Sequence, residues 1–160
     1  MRKGGEKAAP GVQVVARNKR ARFDYHVEDR VEAGLALGGS EVKSLRAGNV
    51  ALSDAYAQPR GDELFLVNCR IGEYQPAAFF GHLPLRDRKL LLKRSEIEKI
   101  RGKVEQRGYT LVPLSIYFKG GWAKVELGLA RGKTHEDRRG SIAEREQKRE
   151  MQRALSRRRR

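Results

Sequence analysis

The stretch Leu111–Ala130 reads LVPLSIYFKGGWAKVELGLA and decides the fold. Two runs rich in β-branched and aromatic residues flank Lys119-Gly120-Gly121, and glycines between two such runs are typical of a β-hairpin. In the second run, polar and apolar residues alternate: Val125, Leu127 and Leu129 lie on one face, and Lys124 and Glu126 on the other. This alternation predicts an antiparallel sheet with one buried face.

Patterns upstream of this hairpin predict further strands. Apolar residues alternate over Val31–Leu37, which predicts a strand, and Ser40 then follows as the N-cap of a short helix over Glu41–Arg46 that Gly48 ends. Ala51–Gln58 and Glu63–Ile71 are joined by Pro59-Arg60-Gly61-Asp62, which predicts a second hairpin.

One longer helix is predicted between the two hairpins. Asp87 is a candidate cap, and Ser95-Glu96-Ile97-Glu98 has the form of a capping box. Its apolar stripe consists of Leu90, Ile97, Ile100 and Val104, with Gly108 at its end. Five or six strands with few helices favour a mainly β fold with flanking helices, either a small antiparallel barrel or an α+β unit. An OB-fold-like closed antiparallel β-barrel is the natural candidate.

The chain is strongly basic, and the surplus lies at its ends. Its 160 residues contain 35 Lys and Arg against 20 Asp and Glu, a net charge of +15. Residues 1–22 and 133–160 each carry +6, whereas every aromatic residue lies between Phe23 and Trp122. Basic arms on a nearly neutral body are suited to a polyanion, because Lys and Arg neutralise phosphates and release counterions. Nucleic acid is therefore the expected partner.

Several classes of protein are disfavoured. The lone Cys69 forms no internal disulfide, no apolar run approaches the roughly 20 residues of a membrane-spanning helix, and no leader peptide is expected, so we predict a cytoplasmic protein without a membrane partner. Gly128–Thr134 has one residue too few between its glycines for a Walker A motif. The histidines are scattered and no paired-acid motif is visible, so we expect no metal, cofactor or catalytic role.

The segment from residue 133 onward combines helix-forming residues with few apolar ones. Ser141-Ile142-Ala143-Glu144 is a capping box, but the apolar residues are too few for a continuous buried stripe. We expect this segment to be disordered when free and to fold on its partner, as basic RNA-binding segments do.

Several motifs are more specific than these patterns. Gly39-Ser40-Glu41-Val42-Lys43-Ser44-Leu45-Arg46 resembles the signature of the SsrA-binding protein family, the protein partner of tmRNA. Other segments match in the same order: residues 18–25, 84–92, 108–114, 124–130 and 132–133. The resemblance covers about residues 17–155 and implies an OB-fold barrel over 17–132 and a basic tail over 133–160 that is helical on the ribosome. Residues 1–16 lie outside it, and we expect them to form a basic flexible extension.

The resemblance also implies a function. Family members bind the tRNA-like domain of tmRNA and promote its delivery, in a complex with elongation factor Tu, to stalled ribosomes for trans-translation. The tail occupies the decoding centre and the empty mRNA channel in place of a codon–anticodon pair. The protein itself catalyses no reaction.

The family motifs single out residues on both parts of the chain. On the barrel, the residues expected to face RNA are Asn18, Tyr25, Glu41, Lys43, Arg46, Lys124 and Lys133. In the tail, the residues expected at the decoding site are Asp137, Arg138, Arg139, Ile142, Arg145, Lys148, Arg149 and Arg153. Lys and Arg neutralise phosphates, Tyr25 can stack on a base, and Asn18 can bond a base edge or sugar.

Glu41 requires a separate argument because a carboxylate repels phosphate. On an RNA surface it would accept hydrogen bonds from base amino groups or a 2′-hydroxyl, or orient Lys43 or Arg46. Alternatively it is a helix N-terminal acid favoured by the dipole. Two other classes of function stay open from composition, a ribosomal structural protein and an RNA-processing enzyme.

Overall fold

The computed structural model describes residues 10–74, 81–106 and 108–158. Its strands are β1 Val12–Arg17, β2 Tyr25–Leu35, β3 Val50–Ala51, β4 Tyr56–Arg60, β5 Glu63–Val67, β6 Arg70–Ile71, β7 Arg88–Leu91, β8 Tyr109–Lys119 and β9 Trp122–Gly132. Its helices are α1 Lys19–Asp24, α2 Gly39–Arg46, α3 Arg94–Val104 and α4 His135–Arg158. The described chain is therefore mainly β with a long C-terminal helix.

The strand pairings of the main sheet return to their starting point. The order runs β1-β8-β4-β5-β7-β2-β9, and β9 pairs again with β8. Six strands thus form a closed ring, and β1 is added along the half of β8 that β4 leaves open, where Val12 lies opposite Lys119. All of these pairings are antiparallel.

The β8–β9 hairpin forms as its sequence predicts. Lys119 pairs with Trp122 across Gly120 and Gly121, whose φ angles of +57° and +80° favour glycine at both turn positions. The apolar face of β9 points inward: Val125, Leu127 and Leu129 are buried. They join one core with residues from the other strands, including Leu64, Leu66, Leu90, Leu111 and Ile116.

The hairpin predicted at Pro59-Arg60-Gly61-Asp62 is also present, but both of its strands are shorter than expected. The turn lies at Gly61-Asp62, with β4 and β5 paired from Arg60↔Glu63 to Tyr56↔Val67. The predicted strand from residue 51 is broken, because β3 pairs with β6 in a separate two-stranded sheet. Strand β2, by contrast, begins earlier than predicted, at Tyr25, because its pairing with β9 extends it beyond the alternation that is visible in sequence.

The predicted helix is present as α3, but its candidate start at Asp87 is wrong. Residues 88–91 are β7, which fills the gap between β5 and β2 with Leu90 opposite Leu64. The helix begins at Arg94 instead, and its capping acid is Glu96, whose Oε2 accepts a hydrogen bond of 3.0 Å from the Lys93 backbone N–H. A strand of four residues shows no distinctive period, and ring closure rather than local pattern selects it.

Two further details differ from the sequence-based expectations. Ser40 is not the N-cap of α2, because the helix begins two residues earlier than predicted, at Gly39, with Gly38 as its N-cap. Residues 12–16 pair with β8, so the boundary predicted after residue 16 is wrong where β1 runs across it. Residues 1–9 of the predicted extension lie outside the described residues.

Most of the C-terminal segment is a helix. Helix α4 runs from His135 to Arg158, with Glu136 and Asp137 in its first turn. The expectation that this segment is disordered when free stays a prediction, because a helix in one structure does not measure its stability. None of the helices in the described part of the chain is both long and apolar enough to cross a membrane.

Candidate nucleic-acid interface

Strand β9 separates the expected site residues into two groups. Lys124 lies near its beginning and Lys133 directly follows its end. At about 3.3 Å per residue, the eight steps from Lys124 to Gly132 span about 26 Å. The expected RNA-facing residues therefore lie at two opposite ends of the ring. We call the end with Lys124 and helix α2 the α2 end, and the end with Lys133 and helix α1 the α1 end.

At the α2 end, helix α2 buries one face and exposes its basic residues. Leu45 and Ser44 are buried, whereas Lys43 and Arg46 are exposed. The Arg46 guanidinium lies 4.6 Å from the ring centroid of Phe118, which is two residues before the β8–β9 turn at Gly120 and Gly121. The structure therefore brings Lys43 and Arg46 to the same end of the ring as Lys124.

Glu41 does not belong to this exposed surface. Glu41 is only 1% exposed. Oε1 accepts hydrogen bonds from the Gly38 N–H at 3.1 Å and the Arg86 guanidinium at 2.5 Å, and Oε2 accepts one from Arg88 Nε at 2.5 Å. Burial raises the pKa of Glu41, but these three hydrogen bonds outweigh it and hold the pKa below its ordinary value. This geometry agrees with the interpretation of Glu41 as an acid in the first turn of α2. Neither carboxylate oxygen faces outward to accept a hydrogen bond from an RNA base.

Arg88 is the partner that sequence reasoning missed. It is fully buried, and its guanidinium also donates to the carbonyl oxygens of Cys69 at 2.5 Å and Pro84 at 3.1 Å. It thereby connects β7, α2 and the segment before β7. A buried carboxylate needs a cationic partner, so a buried Glu41 would have signalled an arginine nearby. Sequence pattern does not reveal that Glu41 is buried.

At the α1 end, Asn18 is likewise a structural residue. It is 6% exposed, and its Oδ1 caps α1 by accepting a hydrogen bond of 3.1 Å from the Ala21 N–H. Both amide protons are used, in bonds to the carbonyl oxygens of Leu52 at 3.1 Å and Pro113 at 2.9 Å. Asn18 therefore holds α1 on the sheet rather than presenting a donor outward.

Tyr25 and Lys133 join the elements that meet at this end. Tyr25 is partly buried against the small cluster of Ala21, Val112, Leu114 and Ala130 beneath α1. Lys133 donates from Nζ to the Arg22 carbonyl oxygen at 3.0 Å and to Ser141 Oγ at 2.8 Å, so it ties α1 to α4. Its charge is engaged with protein groups as well as available to an anion.

The first turns of α4 lie against α1 and the start of β2. Asp137 Oδ2 accepts hydrogen bonds from the Thr134 N–H at 3.1 Å and hydroxyl at 2.8 Å, and it lies 3.4 Å from His26 Nε2. The Thr134 hydroxyl is the largest cause of the lowered pKa of Asp137. Arg145 places its guanidinium 5.2 Å from the Phe23 ring centroid. Arg138 lies 3.9 Å from Asp24.

The other expected tail residues are exposed on α4: Arg139, Ile142, Lys148, Arg149 and Arg153. Arg145, Arg149 and Arg153 recur every four residues, which places them on one face of the helix. This face is a continuous cationic stripe leading away from the α1 end.

The arrangement defines a class of protein: a small, basic, mainly β protein with cations at both ends of its sheet ring and a cationic C-terminal helix. Among the residues that the structure describes, no group of three His, Cys, Asp or Glu side chains is placed to hold a metal ion.

Comparison with known proteins identifies the family. A family profile described as "SmpB protein" matches residues 15–157. SsrA-binding protein of Anaeromyxobacter sp. (strain K) is 75% identical over 157 residues, covering 98% of this chain and 96% of that protein. SsrA-binding protein of Myxococcus xanthus is 64% identical, covering 96% of this chain and 95% of that protein. The chain belongs to the SmpB family.

One solved structure agrees with this assignment. It is described as "tmRNA-SmpB: a journey to the center of the bacterial ribosome", and the match covers 79% of this chain and 93% of that chain. The TM-score is 0.65 at 47% sequence identity, so the likeness extends to the fold.

Proposed function

We propose that this protein binds the tRNA-like domain of tmRNA and promotes its delivery to stalled ribosomes in trans-translation. In this proposal, the C-terminal tail occupies the decoding centre and the empty mRNA channel in place of a codon–anticodon pair. Elongation factor Tu is the expected third component of the delivery complex. A ribosomal partner implies a cytoplasmic location.

One observation carries the proposal: exposed cations lie on two separate parts of the molecule. The α2 end presents the exposed Lys43 and Arg46 and the half-buried Lys124, whereas α4 leads away from the α1 end with Arg149 and Arg153 on one exposed face. Two phosphate-rich surfaces therefore have room to bind at the same time, one on the ring and one along the helix. In this proposal the ring, with β1 included, is an OB-fold-like barrel domain that ends at Gly132, and residues 133–160 form the tail.

The structure changes the roles that we propose for individual residues. In this proposal Lys43, Arg46 and Lys124 contact tmRNA directly at the α2 end, and Tyr25 stacks on a base at the α1 end. Asn18 and Glu41 act through position, because their polar atoms are engaged inside the protein. Lys133 acts at the junction of ring and tail.

The tail residues Asp137, Arg138, Arg139, Ile142, Arg145, Lys148, Arg149 and Arg153 serve the ribosome in this proposal. Asp137 and Arg138 set the direction in which α4 leaves the ring, since their contacts lie with Thr134, His26 and Asp24. Arg139, Lys148, Arg149 and Arg153 are exposed and meet ribosomal phosphates. We propose a binding protein without catalytic activity.

The test begins with the RNA that the protein holds. Tagged protein is purified from its own cells and washed at high salt, and the bound RNA is sequenced. A dominant RNA with a tRNA-like end and an internal open reading frame supports the proposal. If ribosomal RNA alone survives the wash, the protein is instead a ribosomal structural protein.

A truncation separates the two surfaces. Ending the chain after Lys133 is expected to leave tmRNA affinity largely intact and to abolish peptide tagging on stalled ribosomes. The full chain with Arg149→Gln and Arg153→Gln is the matched variant, because it keeps the helix and removes two charges. Equal loss of RNA affinity and tagging on truncation would contradict the division of roles.

A further inference from the structure

A large aromatic side chain stands at the tip of the β8–β9 hairpin with little protein around it. Trp122 is 74% exposed, and it is the one tryptophan in the sequence. The hairpin end therefore does not bury it. The backbone beneath it is well defined, since Trp122 pairs with Lys119 across the two-glycine turn. The indole is therefore presented at the paired end of the hairpin.

The charges around this tip are mainly positive. Lys119 is the direct cross-strand partner of Trp122, and Lys124 lies two residues further along β9 on the same outward face. Arg46 reaches the same end of the ring through its contact with Phe118. The nearby acid, Glu32, is engaged by the Tyr117 hydroxyl and lies 3.5 Å from Lys119 Nζ.

Cations beside an exposed aromatic ring have a specific use in nucleic-acid binding. Every base has a π-face, so a flat side chain can hold an unpaired base by stacking while neighbouring cations hold its phosphates. A protein partner would need a larger apolar surface around the indole, whereas lysines flank it here.

We propose that Trp122 is a stacking platform for an unpaired base of the bound RNA, with Lys119 and Lys124 holding the adjacent phosphates. This inference rests on the proposed function and adds a residue that sequence reasoning did not assign to the interface. It also extends the α2 end outward from α2 to the hairpin tip.

The test uses the intrinsic fluorescence of this one tryptophan. Full-length protein is titrated with tmRNA transcribed in vitro, and binding is followed in parallel by filter retention. Stacking is expected to quench Trp122 emission, to reduce its quenching by acrylamide, and to saturate at the same RNA concentration as filter retention. Trp122→Ala is expected to weaken binding about tenfold, and Trp122→Phe to retain most of the affinity, because phenylalanine still stacks.

Three results would overturn the inference, and they are distinguishable. Retention of tmRNA on filters without any change in Trp122 emission would place the tryptophan outside the interface and leave the proposed function intact. Equal affinities of Trp122→Ala and the unaltered protein for tmRNA would also place Trp122 outside the interface and leave the proposed function intact. Absence of salt-sensitive tmRNA binding by any assay would remove the proposed function and the inference with it. Unchanged thermal unfolding of Trp122→Ala provides the folding control.

Discussion

Replacing Glu41 with glutamine tests the buried ion pair that holds α2 against β7. The Glu41→Gln side chain has nearly the same shape, but it removes the negative charge that faces two guanidinium groups. Arg88 is 0% exposed and Glu41 1%, so water does not compensate. The new amide also sets an N–H donor against the Arg88 Nε–H if Oε1 keeps its bonds to Gly38 and Arg86.

The size of the effect follows from the burial. Removing one partner of a buried ion pair leaves an uncompensated charge and costs about 3–5 kcal/mol. Because a domain of this kind is stable by about 5–15 kcal/mol, this is a large share of the total. The control is Arg20→Gln, which breaks ion pairs to Asp24 at 3.2 Å and Asp54 at 3.4 Å; because the Arg20 side chain is 64% exposed, about 1 kcal/mol or less is expected there.

The assay is chemical denaturation followed by circular dichroism, because the exposed Trp122 is a poor reporter of the core. Glu41→Gln combined with Arg88→Met removes both charges, and we expect the pair to cost less than the two single variants added together, by about 1–3 kcal/mol. If Glu41→Gln costs no more than Arg20→Gln, or the double variant is additive, the pair does not stabilise the fold as argued.

The same variant has a pH signature. The pKa of Glu41 in the folded protein lies below its ordinary value of 4.5. Its ionised form therefore contributes stability that is fully present above about pH 4.5 and is lost as pH falls through the folded-state pKa. We expect the stability difference between the unaltered protein and Glu41→Gln to narrow below this pH. A difference that is constant with pH would show that charge is not its source.

Three other predictions follow from single sites. Lys124→Glu should weaken tmRNA binding and lower the salt slope by about one phosphate, whereas Lys99→Glu on α3 should leave the slope unchanged; equal slopes for the two would remove Lys124 from the interface. Gly72→Ala places a Cβ 2.0 Å from Asn49 Nδ2 and should cost about 1–3 kcal/mol in denaturation, most of it recovered by adding Asn49→Ala; no recovery would refute the clash. Burial raises the pKa of Cys69 to about 11, so a thiol reagent at pH 8 should label it only as fast as the protein unfolds, and immediate labelling of folded protein would contradict its burial.

Local patterns were sufficient for the parts of the fold that are made by neighbouring residues. The β8–β9 hairpin depends on two glycines and an alternating run, and both are visible in sequence. The turn at Gly61-Asp62 and most of α2 follow in the same way. By contrast, the sequence pattern predicts the start of a helix where β7 lies, because these four residues form a strand only through their pairing with β5 and β2.

For the candidate site, too, the sequence predicted some features and the tertiary structure decided others. Lys43, Arg46 and Lys124 were named from family motifs, and the structure leaves their side chains outside the core. Asn18 and Glu41 came from the same motifs, but they are buried and hydrogen-bonded to protein groups. A motif shows that a residue type is required at a position, and it does not distinguish contact with a ligand from support of the fold.

Sequence alone determined the basic arms, the hairpins and the family, because charge, turn residues and motif order are properties of the chain itself. The tertiary structure decided which charged residues face solvent and where the ring closes. The Glu41–Arg88 pair spans 47 residues of sequence. A charged side chain is buried only where an oppositely charged partner lies close to it in space. No local sequence pattern shows which two distant segments come together, because that depends on how the strands between them pair.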